Sequence, residues 1–493
     1  MPIALNIPFK TIPYWHQLAE FERYADCKDR ALLWQMRTGK TKAMIDLACY
    51  LFKEKKIDAV VIIAPNGVHN NWAEAEVSAH IWDCVPFTCL VWESSKLSSS
   101  KKNKSTARIR EDWNIKTPQR LKDKAKLIWW FFNSESIISD DTRKLIKRIT
   151  RVRKVLIVYD ESHDFRTPGS KRSKMMHAIS KKCLYRRILT GTPVGNSPLH
   201  AWSQFQLLKY GALGFERFTD FKNRYSYDIK INSKDYGKYI KITKYQNIEE
   251  LKQRILLFSS IVKRKDCCDM PSLKHEIVNI KLNDNQVKLY KEMLSQFIFE
   301  INDQKNVSIN ASTPRLIKLQ QIVSGFLVDK NKLLHRIPGV NHRLEAISRV
   351  VSSEVGKMIV WCRFRNDIDM VVNRLKNDGH EILEYHGRSS PSEKEEVRAA
   401  FKHGAKNNIK CLIGYPTVGL NLSAATTIIW YSHTFDNILR EQASERATRI
   451  GGEDIKVIDF VSNGIDKQIL KSTSNKKTLA DSMIKIDIKG IYL

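Results

Sequence analysis

Short unbroken runs of β-branched and aromatic residues, each followed by an amphipathic stretch, limit most what this chain can fold into. One set lies at 31–36, 59–65, 128–132, 155–159 and 187–190, and a second at 358–362, 381–385, 410–413, 427–431 and 456–460. An alternating pattern suits a sheet wetted on one side, whereas a continuous apolar run suits a strand covered on both faces, as in parallel α/β sheets. Helical patterns separate the runs, at 41–55, 366–378 and 393–403. The last follows Ser390, starts with Pro391 and carries Glu393 in the capping-box position, a combination that starts helices. The expected fold is α/β, with two parallel sheets in tandem.

At roughly 150 residues per domain, 493 residues make two to four domains. The stretch 211–340 is rich in aromatics and Lys, shows helical patterning such as 286–301, and reads as a mainly helical insertion or bridge. The first lobe then spans 1–210 and the second 341–493. Within the first, 94–127 reads as an inserted basic loop, with ten Lys or Arg against three acids over 101–127. Lys and Arg total 83 against 53 acidic residues, a net charge of +30. Such an excess points to a polyanion, because cationic surfaces release the counterions held by phosphate backbones.

No apolar run nears the ~20 residues of a membrane span, and the N-terminus lacks the basic-then-apolar pattern of a secretory signal. The nine cysteines are scattered, with Cys267 and Cys268 adjacent and no zinc-type spacing. Reduced thiols in a cytoplasmic protein without a structural metal are expected.

Two motifs carry chemistry. Gln35-Met36-Arg37-Thr38-Gly39-Lys40-Thr41 follows a strand run and opens a helical one. In that setting the backbone N–H groups of Arg37, Thr38 and Gly39 suit phosphate oxygens, Lys40 the β and γ phosphates, and Thr41 a Mg²⁺ ion. The apolar run 155–159 leads directly into Asp160 and Glu161, placing two carboxylates at the sheet edge where α/β ligand sites lie. Asp160 suits Mg²⁺, directly or through water, and Glu161 suits activation of the attacking water.

With these motifs the chain resembles a superfamily 2 helicase motor of the Swi/Snf type, as found in bacteriophages. Gln17 resembles the glutamine that reads adenine in that family. Pro65, Asn66, Asn71 and Trp72 resemble its motif Ia, and Asn133 its Asn-Tyr-Glu element; both imply contact with the DNA backbone. Thr190, Gly191 and Thr192 match motif III, which couples nucleotide to DNA. His386 and Gly387 resemble the element after motif IV, and Gly419 and Asn421 motif V, which the resemblance also implies to contact DNA. Gln442, Arg446 and Arg449 match motif VI in type and spacing. Gln442 is implied to couple nucleotide to DNA. Arg446 and Arg449, three apart on one helix face, are implied to stabilise charge on the γ-phosphate, worth roughly 10³-fold or more in related enzymes. The chain departs from the family at Gln35, Arg37 and Gly452, where an acid, a glycine and a glutamine are usual.

The resemblance implies two RecA-like lobes, ATP and Mg²⁺ as cofactors, and a DNA-dependent ATPase acting on duplex, forked or branched DNA irrespective of sequence. No accessory module is visible beside the motor, so a compact stand-alone helicase of phage replication, recombination or repair is expected, in the host cytoplasm. The alternatives are a duplex translocase that displaces bound proteins, an RNA helicase, and a basic DNA-binding protein without catalysis.

Overall fold

A computed structural model describes residues 7–92, 125–191, 197–233, 237–263, 271–303, 309–329, 331–387, 389, 391–402, 409–416, 422–448, 452–462 and 464–474. The chain divides into two compact units, Met1–Cys268 and Asp269–Leu493.

In the first unit the strands are β1 (Asp29–Trp34), β2 (Ala59–Ala64), β3 (Phe87–Trp92), β4 (Leu127–Asn133), β5 (Val155–Asp160), β6 (Tyr185–Leu189), the hairpin β7 (Ser226–Ser233) and β8 (Gly237–Tyr245), and β9 (Ser259–Val262). Among the described residues, seven form one parallel sheet in the order β3-β4-β2-β5-β6-β1-β9. The unbroken apolar runs are explained by cover on both faces. Along β2, Val61 and Ile63 enter one core with Ile146 and Phe165, while Val60 and Ile62 enter another with Leu47 and Trp82. Burying each such side chain stabilises by roughly 1.5–3 kcal/mol.

The second unit holds β10 (Leu273–Asn279), the small pair β11 (Phe326–Val328) and β12 (Leu334–Arg336), β13 (Lys357–Trp361), β14 (Ile382–Tyr385), β15 (Cys411–Gly414), β16 (Ala425–Trp430) and β17 (Ile455–Val461). Its parallel sheet runs β10-β17-β16-β13-β15-β14. Met358 and Val360 of β13 face one core and Ile359 and Trp361 the other. A buried guanidinium pins the β16 and β17 ends: Arg343 donates to the Tyr431 carbonyl at 2.5 Å and to Ser462 Oγ at 3.1 Å, and it pairs with Asp466.

Every run read as a strand is one, and a helix does begin at Pro391. The stretch 211–340 contains the expected helices, Asp284–Asp303 and Ile309–Ser324 among them, but also strands that no apolar run marks in the sequence. These are the β7–β8 and β11–β12 pairs, and β9 and β10, which close one edge of each sheet. Edge strands need apolar cover on one side or none: β10 is largely exposed, so no continuous run marks it. Most of the basic 94–127 segment lies outside the described residues.

Candidate functional site

In the first sheet β5, β6 and β1 are neighbours, so the loops leaving their C-terminal ends meet. The loop after β1 turns on two left-handed residues, Arg37 at φ 62° and Gly39 at φ 79°. The second of these caps helix α1 (Lys40–Lys53). A residue with a Cβ carries roughly 1–2 kcal/mol of strain in that conformation; Arg37 bears it where a glycine would not. Thr38 is buried and donates to the Gln35 carbonyl at 2.8 Å. Lys40 is buried beneath the loop, its Nζ on the carbonyls of Trp34 at 2.8 Å and Gln35 at 3.1 Å. Thr41 follows on the first turn of α1, whose backbone N–H groups have no helical acceptor and whose dipole favours an anion.

Gln17 sits directly against this loop. Its Nε2 donates to the Gly39 carbonyl at 2.9 Å and its Oε1 accepts from the Tyr14 N–H at 2.8 Å. One amide hydrogen and one lone pair stay outside those two bonds, the pair of functions an adenine edge needs. Beside it, His16 Nε2 lies 2.8 Å from the Thr38 carbonyl, so the nitrogen that meets this acceptor carries the proton. Burial lowers the His16 pKa below its ordinary value.

The acidic pair closes the other side of this edge. Asp160 is the last residue of β5 and pairs in register with Leu189 of β6, which pairs with Leu32 of β1. Asp160 Oδ1 accepts from the Glu161 N–H at 3.0 Å, and Oδ2 from Trp72 Nε1 at 2.8 Å. Burial and the neighbouring Glu161 push its pKa up to about 6, against the pull of the Trp72 bond and the Lys40 charge. Glu161 is buried in a left-handed conformation, φ 50°, with its Oε2 3.3 Å from His163 Nδ1. Burial lowers the His163 pKa, but Glu161 and Asp164 outweigh it and hold the imidazole above its ordinary value. The hard oxygens of Asp160 and Thr41 are of the kind Mg²⁺ takes.

Thr190 and Gly191 continue β6 into the same corner. The Thr190 N–H bonds the Leu32 carbonyl at 3.2 Å, and a Cβ on Gly191 would touch Trp34 O and Met36 N, each at 3.5 Å. Motif III therefore abuts the phosphate-type loop through its backbone. Thr192 lies outside the described residues.

Of the residues expected at DNA, Asn66 and Asn71 are exposed and Pro65 is half-buried at the end of β2. Asn133 accepts the Glu135 N–H at 2.8 Å through Oδ1, fixing the turn after β4. Trp72 is a correction: it is 1% exposed, packs in the core beneath α1 and spends its indole N–H on Asp160, so it has no surface to offer a phosphate backbone. A π-turn over Trp72–Glu76 turns it inward immediately after exposed Asn71. Sequence spacing carries no mark of a single π-turn, and the resemblance assigned Trp72 to DNA together with its neighbours. Also unforeseen is the buried bond from Ser162 Oγ to Gln204 Oε1 at 2.9 Å, which ties the acidic segment to the helix His200–Phe205 beyond motif III.

In the second unit, Gln442 is buried on the helix Asn437–Glu445 and Arg446 caps its end, half-buried. The Arg446 carbonyl accepts the Leu422 N–H at 3.2 Å, which joins the motif V and motif VI segments. His386 lies between Glu384 (3.4 Å) and Ser389 (3.2 Å), and the space around Gly387 is open. Gly419, Asn421 and Arg449 lie outside the described residues.

A glycine-capped helix N-terminus, a buried lysine and two adjacent carboxylates share one edge of a doubly covered parallel sheet, the edge at which α/β folds hold their ligands. The SNF2-related domain family matches residues 24–324, and the helicase conserved C-terminal domain matches 342–451. The chain belongs to the SNF2-related family, with a helicase C-terminal domain following. It is 26% identical over 380 residues to an uncharacterized ATP-dependent helicase of Mycoplasma pneumoniae, covering 74% of this chain and 34% of that protein. With a putative ATP-dependent helicase/translocase of Bacillus subtilis it shares 24% over 340 residues, covering 67% and 35%. The chain thus spans about a third of the length of these relatives. Among solved structures, the Sulfolobus solfataricus SWI2/SNF2 ATPase core in complex with dsDNA aligns over 98% of this chain and 95% of that one, at 20% identity and a TM-score of 0.40. Among the described residues no helix is long and apolar enough to cross a membrane.

Proposed function

We propose that this chain is the ATPase motor of a DNA translocase or helicase. The observation that carries the reading is the convergence of the Lys40 loop and the Asp160–Glu161 pair on one sheet edge, near enough for the Lys40 charge to act on Asp160. Lys40 would exchange its two loop carbonyls for phosphate oxygens, and the N-terminus of α1 would hold the same anion. Thr41 and Asp160 would hold Mg²⁺, which when bound neutralises charge on the phosphates. Glu161, steered by His163, would orient and deprotonate the attacking water. Gln17 would select adenine. Arg446 and Arg449 take the charge-stabilising role of the motif they resemble, and Gln442, Thr190, Gly191 and Thr192 the coupling role.

DNA is the proposed polyanion, gripped through phosphates without base reading, as the +30 charge supports. Pro65, Asn66, Asn71, Asn133, His386, Gly387, Gly419 and Asn421 are the proposed contacts. The finer reading is remodelling of forks and junctions, and its setting in phage replication, recombination or repair rests on the resemblance alone. Moving a junction exchanges old base pairs for new, whereas opening a duplex loses roughly 1.4 kcal/mol of stacking per step. The test is ATP-driven conversion of a synthetic junction, a fork and a blunt duplex of equal length. Faster conversion of junction and fork supports the finer reading. Equal or faster opening of the blunt duplex contradicts it, and ATP turnover without conversion of any substrate favours displacement of bound proteins.

A further inference from the structure

The segment after β2 does two different things within two residues. Asn71 is exposed to solvent, and Trp72, next in the chain, is sealed in the core with its indole on the carboxylate that ends β5. The π-turn that separates them is closed by the Val77 N–H on the Trp72 carbonyl and braced by Asn71 Nδ2 on Glu76 Oε1 at 3.1 Å. Single π-turns are rare and recur at functional sites. Here the re-aimed group is a donor-only indole, which supplies one hydrogen bond to Oδ2 of Asp160 while the Glu161 backbone supplies one to Oδ1. Each carboxylate oxygen has about two acceptor sites, so both retain one beyond these bonds. Each carboxylate oxygen is thereby held by one donor and still has a lone pair for a cation or its water shell.

We infer that Trp72 is a positioning residue for Asp160: its indole N–H orients the carboxylate for Mg²⁺. This rests on the nucleotide-site reading above. Another buried tryptophan of the same core, Trp129, provides the contrast, because its Nε1 has no hydrogen-bond partner although it is equally enclosed. Its indole does packing work alone.

The test compares Trp72→Phe, Trp72→His and Trp129→Phe with the wild-type chain. Phe removes the donor. His keeps a ring N–H at the same bond distance from Cα as the indole nitrogen, while losing the benzo ring. Binding of a fluorescent ATP analogue is titrated with Mg²⁺, and affinity for a labelled duplex is measured by anisotropy. Hydrogen bonds to charged groups are the strong class, so Trp72→Phe is expected to raise the Mg²⁺ midpoint for nucleotide binding by about tenfold. Duplex affinity should stay within about twofold, since the DNA-facing residues are untouched. Trp72→His should return the midpoint towards wild type, and Trp129→Phe should not move it. The inference is overturned if Trp72→Phe leaves the midpoint in place, if His is as impaired as Phe, or if Trp129→Phe shifts it equally. Should the Phe variant not fold, the His variant decides: a wild-type-like midpoint supports the donor role and a lost one contradicts it. Absence of Mg²⁺-dependent nucleotide binding in the wild-type chain would instead sink the nucleotide-site reading itself.

Discussion

The Gln17 side chain lies so close over Gly39 that a Cβ at position 39 would come within 2.1 Å of Gln17 Nε2. The same glycine sits at φ 79°, where a side chain is strained in any case. Gly39→Ala therefore has to expel the Gln17 amide and take on roughly 1–2 kcal/mol of left-handed strain at the cap of α1. The expected outcome is a lower unfolding midpoint together with at least about a tenfold loss of ATP affinity, each tenfold being about 1.4 kcal/mol. Calorimetric titration with ATP and urea unfolding measure both; unchanged affinity would show that the loop does not hold the nucleotide.

Lys40→Ala and Glu161→Gln should separate binding from turnover. In the proposed site Lys40 would meet the phosphates in ground state and transition state alike, so its loss should weaken ATP binding and abolish hydrolysis. Glu161→Gln would remove the proposed base but not the proposed phosphate contacts, so ATP should stay bound while the rate falls by about 10²-fold or more. A Glu161→Gln variant that also fails to bind ATP would mean that the carboxylate holds ligand or structure instead of acting on water.

The strands at the heart of both sheets were legible because parallel strands covered on both faces leave an uninterrupted apolar signature; β2, β5, β13 and β16 all carry it. The edge strands β3, β9 and β10 were not, since pairing at an edge demands little apolar cover. The loop lysine and the acidic pair could be read from their position between strand and helix. The inward turn of Trp72 could not: it depends on a single turn of i→i+5 pairing, which leaves no periodicity behind.

In the second unit, Asp367 is fully enclosed, with its Oδ2 accepting from Ser432 Oγ at 2.5 Å. Burial pushes its pKa up to about 6, although the Ser432 bond, the Arg343 charge and the Ser324 hydroxyl pull downward. A carboxyl raised in the folded state contributes stability that is fully present below its unfolded value of about 3.9 and lost as pH climbs through about 6. Asp367→Asn keeps an acceptor for Ser432 and removes the proton. Urea midpoints between pH 4 and pH 7.5 should therefore fall less steeply in the variant, which gains on the wild type towards neutrality. An identical slope in both would place the titration elsewhere.

Affinity for duplex DNA should fall steeply with salt and be insensitive to base sequence, because a grip on Z phosphates gives a slope of roughly −0.9Z in log K against log salt. Anisotropy titrations of two unrelated duplexes across a salt series measure it. A shallow slope, or a strong preference for one sequence, would contradict phosphate-only recognition.

The most direct measurement is ATP hydrolysis by the purified chain in Mg²⁺, with and without duplex DNA, beside the Glu161→Gln variant. Turnover that rises with duplex in the wild-type chain and disappears in the variant is the predicted result. Hydrolysis that ignores DNA, or that continues undiminished without the Glu161 carboxylate, would contradict a DNA-stimulated motor built on this sheet edge.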